Sequence, residues 1–323
     1  MIMCIHCNSL IKAIDVYIKK ADDNLSDELE AQGYIKSEKT IKYIQEIEDG
    51  VVEALLDETD EIIAEAEKAI DLETFAEDVW SKVKLDNTTK VKLIKVFKEK
   101  LNKFMPEFIG YYIAQTDKDL KLTQVSERTM AWVEGWSKEL GEIMQLNSHK
   151  EIEHILEKGL KEGSSIAEFT HEILDSGIRN EYYKARRVAV TEVLTAHRVA
   201  QQEAFMQSPV VSEKMWKHTG EYRNEPRQNH VDMDGQRVPV NEPFELIGAD
   251  GSTYNPMFPG DTILPPEERI NCHCIEQPVV SEEILGLPLE ERQRLQQQAI
   301  DEMDDDWEKE LDARNRAKAG IEV

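Results

Sequence analysis

A chain of 323 residues, 40 % of them hydrophobic, is long enough to bury the cores of two domains. Its 65 acidic side chains against 39 basic ones leave a formal net charge of −26. That charge repels a phosphate backbone and sets aside general nucleic-acid binding, while solvated helix faces or a basic protein partner account for it.

No stretch reaches the roughly 20 consecutive apolar residues of a membrane-spanning helix. The opening MIMCIHCNSLIKAIDVYIKK carries neither a basic leader ahead of an apolar run nor a small-residue cleavage site. Four cysteines in so long a chain make no disulfide framework, so a cytoplasmic origin in a reducing compartment is expected. In the first segment Cys4, His6 and Cys7 have the Cys-x-x-Cys spacing of half a zinc knuckle, with no matching half nearby. They are read either as a labile metal site or as a frayed terminus with two free thiols.

From residue 8 to about 178 apolar residues recur three and four apart, as at Ile62, Ile63, Ala66 and Ala69, with acids between them. Amphipathic helices are expected throughout. Asp86 or Asn87 is placed to cap a helix, and Pro106 is expected to break or kink it. Trp132 and Trp136 share one helix face, which suits core packing, and SSIAEFTHEIL from Ser164 reads as a further capped helix. RNEYYKARRVAVTEVLTAHRVAQQEAFMQS, from residue 179, is one more long helix closed by Ser208-Pro209. Prolines, glycines and two Asp-Gly pairs then crowd short apolar runs, and Asp234-Gly235 and Asp250-Gly251 suit the tight turns of hairpins. Helical pattern returns from Ser281, very acidic in DEMDDDWEKELD, and a mobile end is expected. The fold class is therefore mainly α with a small α+β module: a helical region over 1–178, a module at 179–280 with short β-hairpins in 210–280, and a helical acidic C-terminus over 281–323.

The chemistry candidates crowd the module. INCHCIEQPVV reads as a strand, which puts Cys272 and Cys274 on one face at roughly 6.5–7 Å, at or beyond the usual reach of a disulfide. Both thiols are then either small buried hydrophobes or half of a zinc site completed by His230 and a fourth ligand, Asp232 or His218. Arg223, Arg227, His230, Asp232 and Asp234 form a polar constellation. A hydrolase reading makes His230 a general base, or joins His230, Asn271 and His273 in a nuclease-like metal site. A structural reading has these groups cross-link a loop-rich module through hydrogen bonds and ion pairs, reaching Glu192 or the helix that carries it. The absence of a nucleophile, phosphate loop or carboxylate pair at catalytic spacing favours the structural reading.

Taken in order, RRVAVTEVLTAHRVA, KMWKHTGEYRNEPRQNHVDMDGQRVPVNEPF and PGDTILPPEERINCHC resemble the phage Mu F-like minor head proteins, also called phage head morphogenesis proteins. The matching positions are Thr191, Glu192, Trp216, Arg223, Arg227, His230, Asp234, Gly235, Phe244, Pro259, Gly260, Asp261, Asn271, Cys272 and Cys274. Val190 stands where the family has an arginine before Thr-Glu, and His273 replaces the arginine between the cysteines; Arg186 or Arg187 can take over the first arginine's ion pair. The resemblance implies a non-enzymatic minor capsid protein of the virion. It implies association with the portal protein and other head proteins, and assistance to head assembly or DNA ejection. The alternative is a metal-dependent nuclease or toxin-like enzyme built on His230, Cys272 and Cys274.

Overall fold

The computed structural model describes residues 24 to 219, 226 to 269, 272, and 274 to 318. Cys4, His6, Cys7, Arg223, Asn271 and His273 lie outside them. The long helices are α1 (Ser37–Ala66), α2 (Thr88–Thr116), α3 (Glu127–Glu162) and α4 (Ile166–Gln207). A smaller set follows: strand β1 (Val211–Lys217), helix α5 (Gln228–Asp232), strands β2 (Arg237–Pro239), β3 (Leu246–Ile247) and β4 (Thr253–Tyr254), helix α6 (Pro266–Arg269) and strand β5 (Ile275–Val280). A last long helix, α7, spans Leu289–Lys318. The architecture is mainly helical with a small α+β module.

Helix ends follow the capping chemistry of the sequence. Asp86 accepts from the Thr88 amide at 2.8 Å and from its hydroxyl at 2.6 Å, just ahead of α2, and this holds the Asp86 carboxyl below its usual range. Ser126 caps α3, whose other end closes on Gly163 at φ 72. Ser165 and Glu168 form a reciprocal capping box, one residue later than expected from Ser164.

Two expected breaks do not interrupt the helices. α2 runs on through Pro106, although an interior proline costs about 3 kcal/mol. Leu101, Phe104, Met105 and Phe108 around it are fully buried, and Phe104 stacks on Phe108 with centroids 4.1 Å apart; burial of about 1.5–3 kcal/mol per side chain offsets the lost hydrogen bond. Similarly, the helix from Ser165 and the helix from residue 179 are one 42-residue element, α4. Gly177 alone, at about 1 kcal/mol, does not stop it.

The chain divides into two compact units. One comprises Ile44–Phe108, Leu122–Ala196 and the chain from Gln298 onward. Its core joins Ile62, Ala66, Leu72, Phe75, Trp80, Ile152, Leu156, Phe169 and Ile173, with Phe75 5.5 Å from Phe169. Trp132 and Trp136 are half-buried, and the Trp136 indole donates to Glu192 at 2.6 Å. The C-terminal stretch is docked in this unit: Ile300 and Met303 are buried, and Asp304 accepts from the Glu127 amide at 2.8 Å.

The other unit comprises the described residues up to Tyr43, Ile109–Lys121 and His197–Gln297. Its sheet has the order β2-β1-β5, all antiparallel, with Met215 opposite Arg237 and Trp216 opposite Glu276; β3 and β4 form a separate pair. Asp250-Gly251 makes the expected hairpin between β3 and β4, with Gly251 at φ 81. Asp234-Gly235 does not: it turns α5 into β2, and the Gly235 amide bonds the Trp216 carbonyl at 2.9 Å. The cysteines also depart from the strand reading. β5 begins at Ile275, and Cys272 ends the turn after α6, its amide bonding the Arg269 carbonyl at 3.2 Å.

Gly141 of α3 is a close approach to α2: an added Cβ would lie 2.6 Å from Ile94 Cγ1 and 3.1 Å from the Lys90 carbonyl oxygen. Gly135, two turns earlier on α3, meets nothing within 4 Å. Gly141→Ala is expected to lower the unfolding free energy by about 1–3 kcal/mol, and Gly135→Ala to leave it unchanged or raise it by up to about 1 kcal/mol. Urea denaturation of the two variants checks both signs.

Candidate metal centre

The module's core packs Trp216, Met233, Phe244, Leu246 and Leu264 around Cys272 and Cys274. Trp216, fully buried on β1, meets the His230 ring edge-on at 5.6 Å and Phe244 at 5.4 Å. α5 presents His230 inward at 2 % exposure, and the two buried thiols converge on it. Ligand atoms of His230, Cys272 and Cys274 all lie within 4.8 Å of one another. His230 Nδ1 is 3.5 Å from Cys272 Sγ and 3.9 Å from Cys274 Sγ, and His218 Nδ1 is 3.6 Å from Cys274 Sγ.

The far side of the imidazole is equally defined. His230 Nε2 lies 2.9 Å from Glu268 Oε2, and Glu268 also accepts from Asn229 Nδ2 at 3.1 and 3.2 Å and from the Ala249 amide at 2.7 Å. These donors hold the Glu268 carboxyl below its usual range against the opposing effect of burial. An ionised Glu268 accepts the proton on Nε2, which turns Nδ1 toward the sulfurs. Burial works to lower the His230 pKa, but hydrogen bonds to Cys272 and Glu268 win and raise it. Within the thiol pair, the Cys274 hydrogen bond holds Cys272 well below its ordinary value, while the same bond and burial push Cys274 up.

The other sequence candidates have distinct places. Asp234 accepts from the His218 amide at 2.8 Å and pairs with Lys217 at 3.1 Å, so it fixes the segment carrying His218. Asp232 is exposed outside the cluster and accepts from Gln228 at 2.7 Å, so of the two expected fourth ligands only His218 stands beside a thiol. Arg227 precedes α5 as its N-cap, its carbonyl taking the His230 amide at 3.0 Å. Gly235 adopts φ 84 in the turn to β2. Thr191 and Glu192 belong to the other unit, where Thr191 accepts from the Thr195 hydroxyl at 2.9 Å and Arg186 pairs with Glu48 at 3.1 Å.

Sequence reasoning missed Glu268, Asn229 and Arg198. Arg198 follows Glu192 on α4 and is one of the groups through which that helix grips the module: buried at 3 % exposure, it donates to the Cys272 carbonyl. It also explains the Pro-Gly-Asp loop. A Cβ on Gly260, at φ 76, would sit 2.5 Å from Arg198 Nη1, while Asp261 braces the loop by accepting from the Met257 and Ile263 amides at 2.9 and 3.2 Å. Its signal lay in TAHRVA, where an arginine interrupts an apolar helix face.

A mainly helical chain that carries a small module built around a buried thiol–imidazole cluster defines the class of protein. Residues 150 to 276 match the family described as "Phage Mu protein F like protein". Over 310 residues the chain is 33 % identical to "Uncharacterized protein YqbB" of Bacillus subtilis (strain 168), covering 92 % of this chain and 99 % of the relative. The chain belongs to the phage Mu protein F-like family. No solved structure matches it.

Beside the cluster β1 and β5 bury a cation and an acid. Lys214 Nζ donates to Gln202 at 3.0 Å and to the Met257 carbonyl at 2.6 Å, yet stays 3.9 Å from Glu276, whose carboxylate oxygens make no hydrogen bond among the described residues. Burial pushes Glu276 up from 4.5 to about 8. The folded protein keeps a proton that the unfolded chain releases, so this group's contribution to stability is greatest below pH 4.5 and is lost as pH rises to about 8. Glu276→Gln is expected to flatten that decline: the variant gains stability relative to wild type between about pH 5 and 8, measured by urea denaturation across the range.

Proposed function

We propose that this protein is a minor head morphogenesis protein of a tailed phage or prophage. It binds the portal protein at the capsid vertex, contacts other head proteins, and assists head assembly or DNA ejection. It is made in the bacterial host cytoplasm and ends in the virion. The observation that carries this reading is the family match over residues 150 to 276, which contains the ordered residues from Thr191 to Cys274.

The geometry supports a structural module within that role. The donors of the candidate centre are buried, and the nearby carboxylate of Glu268 is spent on His230, Asn229 and the Ala249 amide. A nuclease centre needs metal positions open to a phosphate and oxygen ligands for a hard cation, neither of which this cluster offers. The net charge of −26 suits a protein that must not be trapped on packaged DNA. Among the described residues no helix is long and apolar enough to cross a membrane.

Co-expression with the portal protein encoded beside it, followed by pull-down and mass spectrometry, is expected to recover a stable complex. Absence from both that complex and purified particles would overturn the reading. Cleavage of DNA with added Mg²⁺, Mn²⁺ or Zn²⁺, lost in His230→Ala, would replace it with the enzyme alternative.

A further inference from the structure

Independently of the head-protein reading, we propose that Cys272, Cys274, His230 and His218 form a closed structural Zn²⁺ site, with Glu268 holding His230 in its ligating orientation from behind.

The donor set comes first. Two thiols and two imidazoles are the ligands of tetrahedral structural zinc, and they disfavour magnesium or calcium, which take oxygen. Distances come second. With zinc–sulfur bonds of about 2.3 Å and zinc–nitrogen bonds of about 2.0–2.1 Å, a tetrahedron separates sulfur from nitrogen by about 3.6 Å. The three sulfur–nitrogen separations here are 3.5, 3.6 and 3.9 Å. A lone thiol–imidazole hydrogen bond would account for one of them. It does not account for both sulfurs meeting the same Nδ1 while a second imidazole meets Cys274.

The surroundings come third. A ligating histidine characteristically gives its other ring N–H to a carboxylate or carbonyl, which fixes tautomer and ring plane. His230 Nε2 does so at 2.9 Å to Glu268, and Glu268 is in turn immobilised by Asn229 and the Ala249 amide. His218 has its own anchor, the Asp234 carboxylate on its backbone amide at 2.8 Å. Cys272, Cys274 and His230 already lie within 4.8 Å of one another, and His218, 3.6 Å from Cys274, completes the set by closing on the other two; with four protein ligands no position stays open, which makes the site structural. Its work is mechanical: it ties the end of β1, helix α5 and the segment ahead of β5 together where a small set of side chains, Trp216, Met233, Phe244, Leu246 and Leu264 with Val238 and Tyr254 beside them, supplies apolar core around the thiols. Metal affinity would then enter directly as folding free energy of this loop-rich region.

The test uses the full chain, purified without chelator. Elemental analysis and native mass spectrometry are expected to find about one zinc per chain. Cobalt exchange is expected to give the visible bands of a tetrahedral thiolate site, and chelator to lower the melting temperature. Glu268→Gln is expected to weaken cobalt binding by about 10- to 100-fold with the tetrahedral spectrum retained. His218→Ala should weaken binding and alter the spectrum, whereas Asp232→Asn should do neither. Folded wild-type protein that holds neither zinc nor cobalt overturns the proposal, a result that needs no variant to fold. Unchanged affinity and spectrum in His218→Ala overturns the assignment of the fourth ligand.

Discussion

The contact on which the module depends is the buried pair of His230 and Glu268. A carboxylate at 1 % exposure would be costly alone, so it draws in every donor the surrounding loops offer, a side-chain amide, a backbone amide and an imidazole. That concentration of donors converts three unrelated loops into one unit. It also fixes the ring plane of His230, with Nε2 on Glu268 and Nδ1 facing the thiols.

Around this pair the same unit keeps an unusually polar interior. Arg198, His197, Lys214 and Glu276 are all buried, and each is managed differently. His197 sits between Thr40 at 2.6 Å and Tyr112 at 3.1 Å and remains neutral, its pKa driven down to about 3 by burial. Arg198 stays charged and gives an Nη2 proton to the Cys272 carbonyl, with Gly260 pressed against its guanidinium. Lys214 is bonded, while Glu276 avoids the cost of a buried charge by holding its proton in the neutral range. Such an interior favours one arrangement of loops over others, because each misplaced loop strands a buried polar group.

The other unit relies on different physics. Its long helices bury aromatic side chains such as Phe75, Trp80 and Phe169 and approach closely at Gly141, while acids cover the solvent side. Polar anchors join these helices at specific points, as where Trp136 donates to the buried Glu192 and His149 meets the buried Glu58. Two of the family-matching residues, Thr191 and Glu192, thus brace helices, whereas Trp216, His230, Cys272 and Cys274 build the metal-type cluster. An ordered string of residues need not form one site to mark one family.

The sequence by itself determined the helical texture, the capping at Asp86, the Asp250-Gly251 hairpin and the candidate donors Cys272, Cys274 and His230. These are local or compositional signals: a cap reads its own first turn, a glycine its own φ, and thiols near a histidine carry their chemistry wherever they fold. Only the tertiary structure set His218, and not Asp232, beside Cys274, and placed Glu268 behind His230 and Arg198 against the cysteine segment. It also kept α2 continuous through Pro106 and assembled one unit from stretches ending at Tyr43, beginning at Ile109 and beginning at His197. Each of those outcomes is set by partners distant in sequence, whose burial and hydrogen bonds outweigh any preference the local residues express.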